Sequence, residues 1–274
     1  MAKAKDFVYS TPPLVEVISE VRWETTPVAA IPGASIDPHF LVFNKKFSER
    51  LNKTGFEHVQ RVVPEEVPIE LTSGNPIFRF RKAQNAWPLY QNGPGLFTAN
   101  IIPPYKGWKE FKKFLDEGLT HLYSSYPMPN EYLRIKRLEL RYMDAFLAEH
   151  GAIKEYPNFL EKHLGISLQL PNLSNKEATT ASFIGNIHIP LPNVENSVGI
   201  ISIKPGLITK NDKKKEAIIM ELIIRKNEFS PQFKKKNIVS WFNKAHTQLH
   251  SWFDKVCSDE LKETFGEKRE IPSK

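Results

Sequence analysis

A strand-like alternation with one apolar and one charged face occurs twice in this chain. "SEVRWE" begins at Ser19 and "LELRYM" at Leu138, so Glu20-Val21-Arg22-Trp23 aligns with Glu139-Leu140-Arg141-Tyr142 at a spacing of 119 residues. Alternation with period two marks a strand that buries one face only. In the first strand, Pro13 to Glu24, the inward set is Val15, Val17, Val21 and Trp23. Its outward set is Glu16, Glu20, Arg22 and Glu24. In the second, Leu138, Leu140 and Tyr142 point inward, and Arg137, Glu139 and Arg141 outward. Strands of this kind belong in an antiparallel sheet packed on one side and polar on the other.

The order of elements after each strand also repeats. After the first, Asp37 can cap and Pro38 can open a helix with Phe40, Phe43, Phe47 and Leu51 on one stripe, stopped at Gly55. Strand-like pieces come next at "VPIELT", "NPIFRFRKA", "AWPLYQNG" and "GLFTANII", separated by turn residues. A second helix runs from about Lys106 to Tyr126, with Trp108, Phe111, Leu115, Leu119 and Leu122 as its stripe. After the midpoint strand comes a short helix at "YPNFLEKHLG". Three strands succeed it at "TASFIGNIHIPLP", "SVGIISIKPGLI" and "KEAIIMELIIRKNEF". A long helix, "KKKNIVSWFNKAHTQLHSWFDKVC", and a short capped one, "SDELKETFG", complete the second half.

The long closing helices align at a spacing of 130 residues, Phe111 on Trp241 and Leu119 on Leu249. About 11 extra residues therefore belong to the second half, in "LQLPNLSNKEATT" and the strands after it. The expected fold class is α+β with two related halves. Each reads strand, helix, antiparallel strands, helix, and each is a helix-covered sheet, as an internal duplication would produce. Residues 1–12 and 269–274 read as tails, 13–128 as the first half and 129–268 as the second.

The one cysteine, Cys257, excludes an internal disulfide and a zinc site built from several thiolates. It fits a reducing compartment and a core position near the edge of the last long helix. The N-terminus has lysines but no apolar run behind them. No apolar run approaches the ~20 residues of a membrane span, so a cytoplasmic protein is expected. The net charge of +7 is local. Between Lys204 and Lys244 eleven Lys or Arg face four Asp or Glu, and the rest of the chain is balanced. A local basic surplus attracts phosphate or acidic protein surfaces.

Several stretches, "PPLVEVISEVRW", "PPYKGWKEF", "LELRYMD" and "AHTQLHSWFDKVCSDELKETFG", together resemble a prokaryotic family scattered sporadically through bacteria and archaea. They frame almost the whole chain in the family's order. The family's midpoint motif usually ends in Asn where this chain has Asp144. The resemblance implies a shared fold and brings no catalytic residue. Sporadic distribution is also that of mobile defence and toxin–antitoxin components, so an accessory role in such a system is what the resemblance suggests.

Catalytic signatures are missing. There is no phosphate-binding Gly-x-x-x-x-Gly-Lys loop, no Gly-x-Gly-x-x-Gly turn and no Gly-x-Ser-x-Gly elbow. His246, His250 and Asp254 recur every four residues on one helical ridge and could ligate a metal. They lack the Glu after the first His that a zinc protease uses, and they read as a solvent-facing flank. His39 at a helix start could act as a base, but the glycine-rich loop of CRISPR-type endoribonucleases is absent. Glu65 and Glu66 lie in a Pro-flanked loop and have no assigned role. Most tryptophans fall on core stripes; Trp87 and Tyr90 are the aromatics best placed to stack on a ligand.

The expected function is that of a non-enzymatic recognition protein. Its binding residues are Arg22, Arg79, Arg81, Arg141 and Arg225 on the sheet face, joined by Lys213, Lys214, Lys215, Lys234, Lys235 and Lys236. A protein partner is expected, with RNA or single-stranded DNA as the alternative and a metal-independent endoribonuclease further behind. No cofactor, metal or membrane is expected.

Overall fold

The computed structural model describes residues 7–29, 31–150, 156–167, 183–210, 212–229 and 234–270. Nine strands form one antiparallel sheet: β1 (Leu14–Trp23), β2 (His58–Arg61), β3 (Phe78–Arg81), β4 (Leu89–Gly93), β5 (Leu96–Ile101), β6 (Ile135–Phe146), β7 (Gly185–Leu191), β8 (Ser197–Lys210) and β9 (Lys213–Lys226). Their spatial order is β7-β8-β9-β6-β1-β5-β4-β3-β2. The two expected sheets are thus one. The opening strands β1 and β6 pair at its centre, so neither half exposes that edge. Glu20 lies directly opposite Glu139, its counterpart in the aligned motif. Outward from this pair, each half adds its last strand first and its earlier strands in reverse order.

One face of the sheet is covered by helices α1 (Phe40–Asn52), α2 (Trp108–Ser125), α3 (Tyr156–Leu164), α4 (Lys235–Val256) and α5 (Asp259–Glu263). The expected stripes of α1 and α2 are all buried. A Cβ at Gly118 would collide with the Tyr90 and Phe97 rings, so its glycine lets α2 lie close on the sheet. Trp108 Nε1 donates to Asn243 Oδ1 at 2.9 Å and ties α2 to α4. Ser258 caps α5 by accepting from the Leu261 backbone N–H at 3.1 Å. Cys257 is buried in the core, and burial pushes its thiol up.

Several expectations are corrected. "VPIELT" forms a 3-10 turn, Ile69–Thr72, and the edge strand is instead the polar "HVQR" of β2. Its burial is partial at both ends and absent in the middle, so it gave no apolar alternation to read. A bulge between Leu14 and Glu16 turns Val15 to the opposite face, helix-free among the described residues, where it joins Ala145, Leu147 and Ile219. Asp37 acts one turn before the helix: His39 is the N-cap residue of α1. The Asp37 carboxylate accepts from the His39 N–H at 3.0 Å, Trp23 Nε1 at 2.8 Å and Tyr126 Oη at 2.9 Å. Phe7–Tyr9, in the segment read as the N-terminal tail, pairs with Lys268–Glu270, which joins the end of the second half to the segment read as the C-terminal tail. The "LQLPNLSNKEATT" insertion lies outside the described residues.

Candidate functional site

The helix-free face carries the charged half of every central strand. On β1 and β6 the like-charged pairs Glu20–Glu139 and Arg22–Arg137 stand opposite each other, an arrangement that is destabilising by itself. The Glu-x-Arg spacing relieves it. Residues two apart on a strand share a face, so each Glu has an Arg of its own. Glu20 pairs bidentately with Arg22, whose Nη1 also donates to the Gly74 carbonyl at 2.7 Å. Glu139 Oε1 accepts from Arg141 at 2.6 Å and Oε2 from Arg225 at 2.7 Å. Arg141 extends to Glu221 at 3.1 Å, and Lys204 closes on Glu221 at 2.7 Å.

This lattice lies low in the face: the Glu139 and Glu221 side chains are only 4% and 6% exposed. Burial works against the Glu139 charge. The hydrogen bonds and charge of Arg141, then Arg225, outweigh it and hold the carboxyl below the usual range. Burial works to lower Arg141 too, but Glu139 and Glu221 push it further up.

The other end of the face is built differently. Arg79 Nε donates to Gln91 Oε1 at 2.9 Å, Gln91 to Thr98 at 3.3 Å, Thr98 to Asn100 at 2.6 Å, and Asn100 to Glu16 at 2.7 Å. This relay crosses from β3 through β4 and β5 to β1. Arg81 donates to the Ala86 carbonyl at 2.7 Å and sits 4.9 Å from the Trp87 ring centroid. Among the described residues neither Arg79 nor Arg81 has a carboxylate at ion-pair distance. Burial and the Arg79 charge lower Arg81 from its ordinary value. Glu16 is the nearby acid. Burial raises its carboxyl, against the Asn100 hydrogen bond and the charges of Arg79, Arg141 and Arg81.

All five arginines named from the sequence therefore share one face. The six lysines do not join them as one patch. Lys213 and Lys214 are exposed at the tip of the β8–β9 hairpin, with Lys215 reaching Glu149 at 3.7 Å. Lys234–Lys236 open α4 on the helix-covered side, where Lys235 pairs with Asp116 of α2 at 2.9 Å. The sequence reading placed Glu16 on the outward face and Lys204 in the basic segment without a role for either, and it missed Gln91, Thr98 and Asn100. Neutral or isolated residues give no charge pattern, and only cross-strand register makes them neighbours.

Two aromatic and histidine readings also change. Tyr90 is core, stacked on Phe114 and donating to its carbonyl at 2.7 Å; Trp87 stays half-buried beside Arg81. His246 is buried rather than solvent-facing. It stacks on Trp108 and lies 2.9 Å from Tyr142 Oη through Nδ1, and burial and His250 bring its pKa down to about 3. Asp254 is taken by Lys262 and Lys268 at 3.6 and 3.5 Å. No group of three potential metal ligands occurs among the described residues. No described helix is long and apolar enough to cross a membrane.

Fold and face together define an α+β protein with a charged, helix-free sheet surface. No family model, curated protein or solved structure matches the chain.

Proposed function

We propose that this is a recognition protein that binds another protein through the helix-free sheet face, with Arg79 and Arg81 receiving an acidic group of that partner. One observation carries the reading. Arg22, Arg141 and Arg225 are each ion-paired with a glutamate of the same face, whereas among the described residues Arg79 and Arg81 have no carboxylate at ion-pair distance and only the more distant charge of Glu16. Arg79 is half-buried and Arg81 is 7% exposed; a guanidinium at the surface of a sheet with unused donors can bind a carboxylate through two parallel hydrogen bonds. Trp87 beside Arg81 supplies an apolar contact surface.

The glutamates of the face argue for a protein over a nucleic acid, because they repel a continuous phosphate backbone. The repeated strand order around the Glu20–Glu139 pair supports descent of the two halves from one duplicated unit. An accessory place in a defence or toxin–antitoxin system is the setting we infer from the family resemblance.

The test is a pair of titrations against a fluorescent acidic peptide and a single-stranded RNA across salt concentrations. The peptide is expected to bind, and Arg79→Gln with Arg81→Gln to abolish binding. RNA binding whose affinity falls steeply with salt, with no peptide binding, would move the function to nucleic-acid recognition.

A further inference from the structure

On the opposite face, under the helices, a cavity of about 80 Å³ opens between the Phe7–Tyr9 segment, β6 and α4. About 10–15 Å³ suffices for one water, so this space admits a small organic group. Its walls are mainly apolar and aromatic: Phe7, Tyr9, Tyr105, Tyr142 and Phe253, with the His250 ring. One carboxylate lines it. Asp144 is 3% exposed, and no described residue donates a hydrogen bond to its buried Oδ2.

Buried polar groups are normally satisfied, and an unpartnered buried carboxylate that lines a cavity points to a ligand of opposite charge. No Lys or Arg among the described residues pairs with it. Lys262 engages Asp254 and Asp259, while Lys268 engages Asp254 and sits over the Phe7 ring, 3.7 Å from its centroid. The imidazole that lines the cavity with Asp144 is that of His250, and His246, one turn before it and part of the Tyr105–Tyr142–His246 hydrogen-bonded chain, is kept neutral by its burial.

We propose that this cavity binds a small organic cation, an alkylated or methylated ammonium head, with Asp144 as its counter-charge and the surrounding rings as its walls. Aromatic faces attract an ammonium through the ring quadrupole, and a single desolvated carboxylate adds the charge pairing. Lys268 over Phe7 shows the same kind of contact from the other chain terminus. An anion is excluded by Asp144, and a hydrated metal ion lacks a set of oxygen ligands among the described residues. The site is independent of the helix-free face, so each can fail alone.

The test is calorimetric titration of the full chain with trimethylammonium chloride, with tert-butanol as a neutral molecule of matched shape. Saturable binding of the cation, at least tenfold tighter than the alcohol, is expected. Asp144→Asn should weaken it at least tenfold, and Tyr105→Leu several-fold. Equal affinity for the alcohol, unchanged affinity in Asp144→Asn, or no saturable binding each overturns the proposal. The cation-to-alcohol ratio in the unmodified chain keeps the test decisive where a variant fails to fold.

Discussion

Glu139 and Asp144 are both buried on β6, on opposite faces, and they are held in opposite states. Glu139 faces the helix-free side, accepts from Arg141 and Arg225, and is kept ionised below the usual carboxylate range. Asp144 faces the helices, where burial alone raises it from its ordinary 3.8 to about 7. Strand and depth are alike. The difference is whether cross-strand neighbours bring a guanidinium. Beside Glu139, β9 contributes Arg225; beside Asp144 it contributes Met220. A buried carboxylate is therefore tolerable on one face as part of a lattice, and on the other only near neutrality or with a partner from outside.

The largest effect expected from this contrast is at Asp144. Its folded pKa is raised, so the group costs nothing below its unfolded pKa, and the cost grows as pH rises toward about 7. Asp144→Asn should stabilise the protein by up to about 4 kcal/mol at pH 8 and by nearly nothing at pH 4. Urea unfolding at the two pH values measures it. A variant no more stable at pH 8 than at pH 4, relative to wild type, would break the contrast.

Next is the lattice. Arg141→Met leaves Glu139 and Glu221 with one partner each, Arg225 and Lys204. A loss of about 3 kcal/mol is expected, at the low end for a broken buried pair because the Arg141 side chain is 30% exposed. For Glu139 the sign is opposite to that of Asp144. Its folded pKa is depressed, so its stabilisation is present above the unfolded value of 4.5 and disappears as pH falls through the folded value. Acid titration of wild type and Glu139→Gln should therefore converge at low pH, and parallel curves would refute the assignment.

The smallest effect sharpens the difference between the two ends of the helix-free face. Arg79→Gln with Arg81→Gln removes two cations that have no carboxylate at ion-pair distance among the described residues. Stability should change by less than about 1 kcal/mol while acidic-peptide binding is lost. A loss matching that of Arg141→Met would make this end structural as well.

Much of the scaffold was legible in the chain. The stripes of α1 and α2, the long central strands and the arginine face follow from periodicity, because side-chain direction is fixed by local backbone geometry. The polar edge strand β2 was not legible, since its stability comes from pairing with β3. Nor was the burial of His246. An edge position on a helical wheel looks solvent-facing until Trp108 of another helix covers it.

By itself, the sequence determined that two Glu-x-Arg strands exist and that each carries both charges on one face, because a period of two forces residues i and i+2 together. Only the tertiary structure decided that the two strands meet at the centre of one sheet. It also decided which arginines are neutralised and that Asp144 faces a cavity. Those outcomes depend on strand order and register, which juxtapose residues far apart in the chain and leave no local trace in it.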